Sequence, residues 1–256
     1  MKLLIATPLY PPEIGGPATY AKLLSLGLPE KHIEVELVKF SDVRRLPKII
    51  RHYVFYRCVL KAARSADVVF ALDPVSVGLP AMKAAQKAKK PFVVKIVGDY
   101  AWEQGRQRFG ISQTLDEFMT TKQVPFPVRV LQRIQTRVAR SATRIIVPSE
   151  YLKGIIAAWG VPRENIKVIY NAVLLEEMGT VSPAVAHLPR PLVATAGRLV
   201  PWKHIDTIID AVALLREKTK ISLAIVGEGP EHAHLAEHAK RKLGSGYVLT
   251  GVLSHA

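Results

Sequence analysis

Acidic residues are scarce in this sequence. Only 21 aspartates and glutamates stand against 36 lysines and arginines, a formal net charge of +15 over 256 residues. A field of that sign gathers anions, which favours phosphates, anionic lipid or nucleic acid as partners without choosing among them. Cysteine is nearly absent. The single Cys58 allows no internal disulfide and no cysteine metal cluster, which fits a reducing cytoplasm. No apolar run approaches the roughly 20 residues of a membrane span, so no bilayer crossing is expected. The start, "MKLLIATPLYPPE", opens on a basic residue, but Pro8 and then Pro11-Pro12 break its apolar stretch and no cleavage pattern follows, so it reads as a strand rather than a targeting signal. With 49% apolar and 22% charged residues, the chain can bury a core in one large domain or two small ones.

What is present is an alternation. Short β-branched runs recur at 3–7, 34–40, 67–72, 92–98, 144–149 and 166–171, separated by helical stretches such as "TYAKLLSLGL" and "GLPAMKAAQKAKK". Strands apolar on both faces, alternating with helices, predict a parallel sheet covered on both sides, a Rossmann-like α/β domain over residues 1–175. The pattern lapses through "TVSPAVAHLPRP", and 176–190 reads as a linker. It resumes over 191–256 with "LVATAG", a helix from about 203 to 217, "ISLAIVGEG", a helix from about 231 to 243, and "YVLTG". Ile205, Ile208, Ile209, Val212 and Leu215 form one apolar stripe. Three strands fall short of the five or six of a stand-alone doubly wound domain, so the second domain is expected to be incomplete, with a sheet edge open to pairing in a homo-oligomer.

Three strand-to-helix joints carry glycine or cations, at the strand ends where open α/β sheets bind ligands. After the first strand, Gly15 and Gly16 let the backbone approach an anion while the following helix offers free N–H groups. The plainer reading is a turn that only reverses the chain. In "TAGRLVPWKHID", following Gly197, Arg198 presents a planar fork and Lys203 a point charge, a pair suited to one diphosphate; the plainer reading is two surface cations among 36. In "IVGEGPEHAHL", Gly227 and Gly229 begin a G-x-G-x-x-G turn, but His232 replaces its third glycine, which argues against a dinucleotide-binding dehydrogenase. Glu228 there either complements the helix dipole or accepts hydrogen bonds from sugar hydroxyls.

Taken together, "PPEIGGPATYAKLL", "VPSEYLKGII", "VIYNAV", "AGRLVPWKHIDTIIDAVALL", "LAIVGEGPEHAHL" and "LTGVLSH" resemble the retaining glycosyltransferases of the GT-B fold, specifically glycosyltransferase family 4, in order and over nearly the full chain. The resemblance implies two facing Rossmann-like domains, an acceptor-side domain followed by a donor-binding one, and a UDP-, GDP- or ADP-sugar as substrate with no cofactor. It places Gly15 and Gly16 along the diphosphate, Arg198 and Lys203 as its grip, Glu228 by the donor, and Val252 and Leu253 near the base. Such enzymes need no D-x-D metal site, and the sequence has no such triplet. The implied reaction moves a hexosyl group to a hydroxyl acceptor, lipid-linked or polysaccharide, with retention.

The sequence departs from the family pattern twice. Many relatives carry a histidine after the fourth strand, whereas "KIVGDYAWE" places Asp99 there, as a candidate to orient the acceptor hydroxyl or take its proton; Asp73 is a weaker candidate of the same kind. The family also continues past the "TGVLSH" region to a paired-glutamate segment, while this sequence ends at Ala256, which reads either as a truncated piece or as a short form with altered activity. A catalytically impaired sugar-nucleotide-binding protein is therefore the alternative, and a non-enzymatic basic protein a third. Nucleic acid finds no recognised reader motif here.

Two basic stretches complete the inventory. In 128–144, Val130, Ile134 and Val138 with Leu131 make an apolar face beside Arg129, Arg133 and Arg137, extended by Arg140 and Arg144; residues 48–67 are basic and aromatic. They read either as solvated helix faces or as peripheral contact with anionic lipid at the inner membrane face.

Overall fold

The computed structural model of the chain describes residues 1–121, 123–172 and 182–253, in two compact units, Met1–Ala172 and Val173–Ala256. The first unit runs β1 (Lys2–Thr7), α1 (Gly16–Gly27), β2 (Glu34–Lys39), α2 (Lys48–Ala63), β3 (Val68–Ala71), α3 (Gly78–Ala88), β4 (Phe92–Lys95), α4 (Tyr100–Arg108), α5 (Leu115–Thr120), α6 (Phe126–Ser141), β5 (Arg144–Val147), α7 (Glu150–Ala158) and β6 (Ile166–Val168). Its six strands lie in the order β2-β1-β3-β4-β5-β6, and every pairing is parallel.

Side chains alternate across this sheet, so each strand feeds two cores. Leu4, Ala6, Val69, Ala71, Val94, Ile96, Ile145 and Val147 point into the larger core, shared with α2, α3, α6 and α7. Ile5 and Phe70 point the other way, with half-buried Val93 and Ile146, and meet Ala21, Tyr20 and Leu24 of α1. Burial on both faces is why these strands read as near-continuous apolar runs. Each fully buried leucine or isoleucine contributes about 1.5–3 kcal/mol relative to exposure.

Three expectations shift here, the first being the sixth strand, expected over 166–171, which ends at Val168. The fourth strand, expected over 92–98, ends at Lys95, because Asp99 becomes the N-cap of α4 and the chain must turn before it. On α6 the buried residues are Val128, Gln135, Val138 and Ala139, with Val130, Leu131 and Ile134 half-buried and Arg129, Arg133, Arg137 and Arg140 exposed. A spacing of four drifts about 40° per step around a helix of 3.6 residues per turn, so the stripe of 130, 134 and 138 does not stay on one face. Arg144 is not on that helix at all; it opens β5 and donates to Asn165 Oδ1 at 2.9 Å.

The second unit holds α8 (Pro183–Ala186), β7 (Leu192–Ala196), α9 (Ile205–Leu215), β8 (Ser222–Val226), α10 (His232–Leu243) and β9 (Tyr247–Gly251), with parallel strands in the order β7-β8-β9. Of the segment read as a linker, residues 176–181 lie outside the described residues, and α8 follows, with Pro183 in its first turn. In the core, Ile205, Ile209 and Val212 of α9 meet Leu235, Ala239 and Leu243 of α10 over Leu223 and Ile225. Leu215, counted in the stripe, is exposed at its end. At the amino edge of this sheet Arg216 donates to four carbonyls, those of Ile221 (2.9 Å), Leu243 (2.9 Å), Ser245 (2.7 Å) and Gly246 (2.6 Å). One guanidinium thus ties the loops entering β8 and β9 together.

The two units are the Rossmann-like α/β sheets of a GT-B-like fold, six-stranded in the first and three-stranded among the described residues of the second. Among the described residues no helix is long and apolar enough to cross a membrane.

Candidate functional site

The three joints at the carboxyl edge of β7, β8 and β9 are stitched into one surface. Gly197 N–H donates to Val226 O at 2.9 Å, Gly227 N–H to Gly251 O at 2.8 Å, and Leu199 N–H to Glu228 O at 3.0 Å. The stitching depends on missing side chains. Gly227, at φ 139°, lies against the Gly197 carbonyl, and Gly229 against that of Leu199; a Cβ at either would overlap the oxygen. The G-x-G of this joint is therefore explained by the close approach of two loops. It also brings Glu228 beside β9, since a Cβ on Gly251 would stand 3.0 Å from Glu228 Oε1.

On that surface Arg198 and Lys203 are exposed, and no carboxylate of the described residues pairs with either. Arg198 stands two residues past the end of β7. Lys203 closes a single 3-10 turn, Pro201–Lys203, after which His204 takes a left-handed φ of 48° and α9 begins, two residues later than expected. Asp206 occupies the first turn of α9 and its Oδ1 accepts from the Thr207 N–H, so the positive end of this helix is already partly answered. Anion binding at this joint rests on the two side chains rather than on the helix. Glu228 and Val252 are exposed and Leu253 is half-buried, while Ser254 and His255 of the last motif lie outside the described residues.

In the first unit the carboxyl edge of the sheet carries the other candidates. Gly15, at φ 152°, is the N-cap of α1, which has no side-chain cap and no acid in its first turn, while Gly16 is exposed with open space where a Cβ would be. Here the helix end itself is available to an anion. Asp99 is 1% exposed. Its Oδ1 accepts from the Trp102 N–H and from Gln135 Nε2, both at 2.9 Å, while Gln135 Oε1 accepts from the Ala101 N–H at 2.9 Å. Burial raises its pKa against the pull of those hydrogen bonds. Asp99 is thus a cap locked by α6, and Gln135, buried in mid-helix, is the partner that sequence reading missed.

Asp73 has a comparable place after β3. Its Oδ1 accepts from the N–H groups of Val75 (2.6 Å) and Ser76 (2.7 Å), and the Ser76 hydroxyl donates to Oδ2. Burial raises its pKa too. Beside it, burial and then the Asp73 charge push the Tyr100 phenol up to about 12, so Tyr100 stays a neutral donor at physiological pH.

The most conspicuous residue that sequence reading missed is Lys95. It ends β4, is 3% exposed, donates to Asn171 Oδ1 at 3.1 Å, and holds its ammonium 3.8 Å from the centre of the Tyr20 ring. The signal was a lysine inside the run "FVVKIVG", hidden among 36 cations.

Against known proteins, the description "Glycosyl transferase 4-like domain" matches residues 29–172 and "Glycosyl transferases group 1" matches 183–251. The second stretch contains Gly197, Arg198, Lys203, Gly227 and Glu228; Gly15, Gly16, Val252 and Leu253 fall outside both. No curated protein matches the sequence significantly. Among solved structures, sucrose-phosphate synthase from Thermosynechococcus elongatus aligns with a TM-score of 0.70 at 15% identity, over 99% of this chain and 71% of that one. HepE from Anabaena, in complex with UDP and glucose, aligns at 0.64 and 18%, over 99% and 70%. A putative UDP-N-acetylglucosamine 2-epimerase from Listeria monocytogenes aligns at 0.57 and 14%, over 99% and 69%. At such identities the likeness is one of fold, shared by transferases and an epimerase alike. The family descriptions, the first covering more than half of the sequence, go further: the chain belongs to the glycosyl transferase 4-like family of glycosyltransferases.

Proposed function

We propose that this protein transfers a hexosyl group from a nucleoside diphosphate sugar to a hydroxyl acceptor, with retention at the anomeric carbon. The observation that carries the reading is the stitched edge of β7, β8 and β9, which holds two exposed cations, Arg198 and Lys203, with no carboxylate partner among the described residues, on loops joined to the one that carries Glu228. As the bond from the anomeric carbon to the diphosphate breaks, negative charge grows on the leaving oxygen, and fixed cations stabilise that charge more than the ground state. Arg198 meets two oxygens with its fork and Lys203 adds a point charge, while Glu228 accepts hydrogen bonds from sugar hydroxyls. Val252 and Leu253 offer apolar surface to the base, and in the first unit the α1 terminus behind Gly15 and Gly16 offers N–H donors suited to a phosphate. Asp99 orients the acceptor hydroxyl or takes its proton. HepE, crystallised with UDP and glucose, and the lipopolysaccharide outer core galactosyltransferase WaaB, which aligns at a TM-score of 0.52 and 20% identity, support a sugar-nucleotide donor and a glycan or lipid-linked acceptor.

Calorimetric titration of UDP-, GDP- and ADP-sugars into the chain and into an R198A/K203A double variant tests the donor site. One nucleotide sugar should bind the wild type, and the double variant should lose at least about a hundredfold, since hydrogen bonds to charged groups contribute about 1.5–3 kcal/mol each. Equal binding by a folded double variant would remove the diphosphate grip from this reading.

A second surface belongs to the same proposal. The exposed arginines of α6, Arg129, Arg133, Arg137 and Arg140, line an open furrow of about 470 Å³, and no acidic residue interrupts the helix. That furrow is the contact we assign to anionic lipid headgroups at a membrane face.

A further inference from the structure

Lys95 is a buried cation that the donor grip does not use. It sits at the carboxyl end of β4, and alternation puts it on the same face as Val93, beneath α1. An aliphatic residue would pack there without desolvating a charge. An ammonium has three donors. One is taken by the neutral amide of Asn171 at 3.1 Å, and the Tyr20 ring face lies 3.8 Å away; no carboxylate of the described residues pairs with it. Burial lowers its pKa, and no acidic group of the described residues raises it. Tyr20 belongs to α1, the helix that opens at Gly15, and Asn171, which is exposed, follows β6. The amide can therefore swing away without disturbing the core, and the two groups that meet the ammonium among the described residues, an amide and a phenol ring, carry no charge.

We propose that Lys95 is an anion-binding residue of the first unit, holding a phosphate oxyanion of a substrate once Asn171 moves aside. This rests on the glycosyltransferase reading for the identity of the substrates but not for the chemistry: a strand-end cation with one acceptor among the described residues gains most from a ligand of opposite charge that reaches it out of bulk water. The phosphate belongs either to the donor diphosphate or to a phosphorylated acceptor.

Two probes separate these sources. UDP and glycerol 1-phosphate are titrated calorimetrically into the wild type, K95Q, K95R, N171A and R198A/K203A. For one of the probes we expect K95Q to lose at least about tenfold, K95R to retain most of the affinity, and N171A to tighten binding by removing the competing amide oxygen. A loss confined to UDP assigns the oxyanion to the donor; a loss confined to glycerol 1-phosphate, with R198A/K203A unaffected, assigns it to the acceptor. A folded K95Q that binds both probes like the wild type overturns the proposal, as does a wild type that binds neither. Should K95Q not fold, unchanged affinities in N171A overturn it. Loss of UDP binding in R198A/K203A reads the donor grip separately, so the two ideas fail independently.

Discussion

The backbone of Gly227 rests against the carbonyl oxygen of Gly197, closer than any side chain would permit. The contact joins the second strand-to-helix joint of the small unit to the first, and with it Glu228 to the loop of Arg198. G227A adds a methyl where φ is 139° and where backbone already stands, so loop and strand end must separate. A loss of about 2 kcal/mol or more in urea unfolding, together with weakened nucleotide-sugar binding, is expected. G16A, with open space around the same addition, should stay within about 0.5 kcal/mol of the wild type.

Arg216 binds four carbonyls at the opposite edge of the same sheet. Lysine has no planar fork and cannot reach them all. R216A is expected to destabilise by about 3 kcal/mol, and R216K by about half of that, since charge-assisted bonds are strong but not additive. Because the clasp lies away from the candidate site, nucleotide affinity of the folded fraction should be unchanged, a split that calorimetry beside unfolding curves can read.

Asp99 allows cap and proton acceptor to be told apart. Its pKa is raised in the fold, chiefly by burial, so the folded state holds its proton longer than the unfolded chain. Its contribution to stability is present below the ordinary carboxylate pKa and declines as pH rises through the raised value. D99N keeps an oxygen for the Trp102 N–H and does not titrate. The difference between wild-type and D99N stability should slope across that window and then level off, with D99N at least as stable at neutral pH. D99A loses the cap, at about 0.5–2 kcal/mol. If D99N folds and binds donor but transfers no sugar, Asp99 takes the acceptor proton; full activity in D99N leaves it as the cap of α4 alone.

The arginines of α6 make a prediction about surfaces. R133E/R137E reverses charge on exposed side chains with no ion-pair partner among the described residues, so stability should move by less than about 0.5 kcal/mol. Sedimentation with vesicles containing phosphatidylglycerol should show the wild type bound at low salt and the variant released. Binding that ignores anionic lipid content would place these arginines in solvent only.

Much of this protein is legible in its order of residues. β-branched runs apolar on both faces, spaced by amphipathic helices, determined a parallel α/β sheet, and the start of each strand was readable to within a residue, though not every end, because period-two burial and turn chemistry are local properties. The joints holding Gly15, Arg198 and Gly227 were legible for the same reason, since strand end, glycine and helix start lie within a dozen residues. What tertiary structure alone decided are relationships across long stretches of chain. Gln135 reaches Asp99 across 36 residues, Lys95 meets Asn171 across 76, and Gly227 needs no side chain only because the Gly197 loop passes over it. Composition and periodicity carry no information about which distant groups a fold presses together. Burial and close packing decide that, and they made one of 36 lysines and arginines a buried cation that, among the described residues, meets a single hydrogen-bond acceptor.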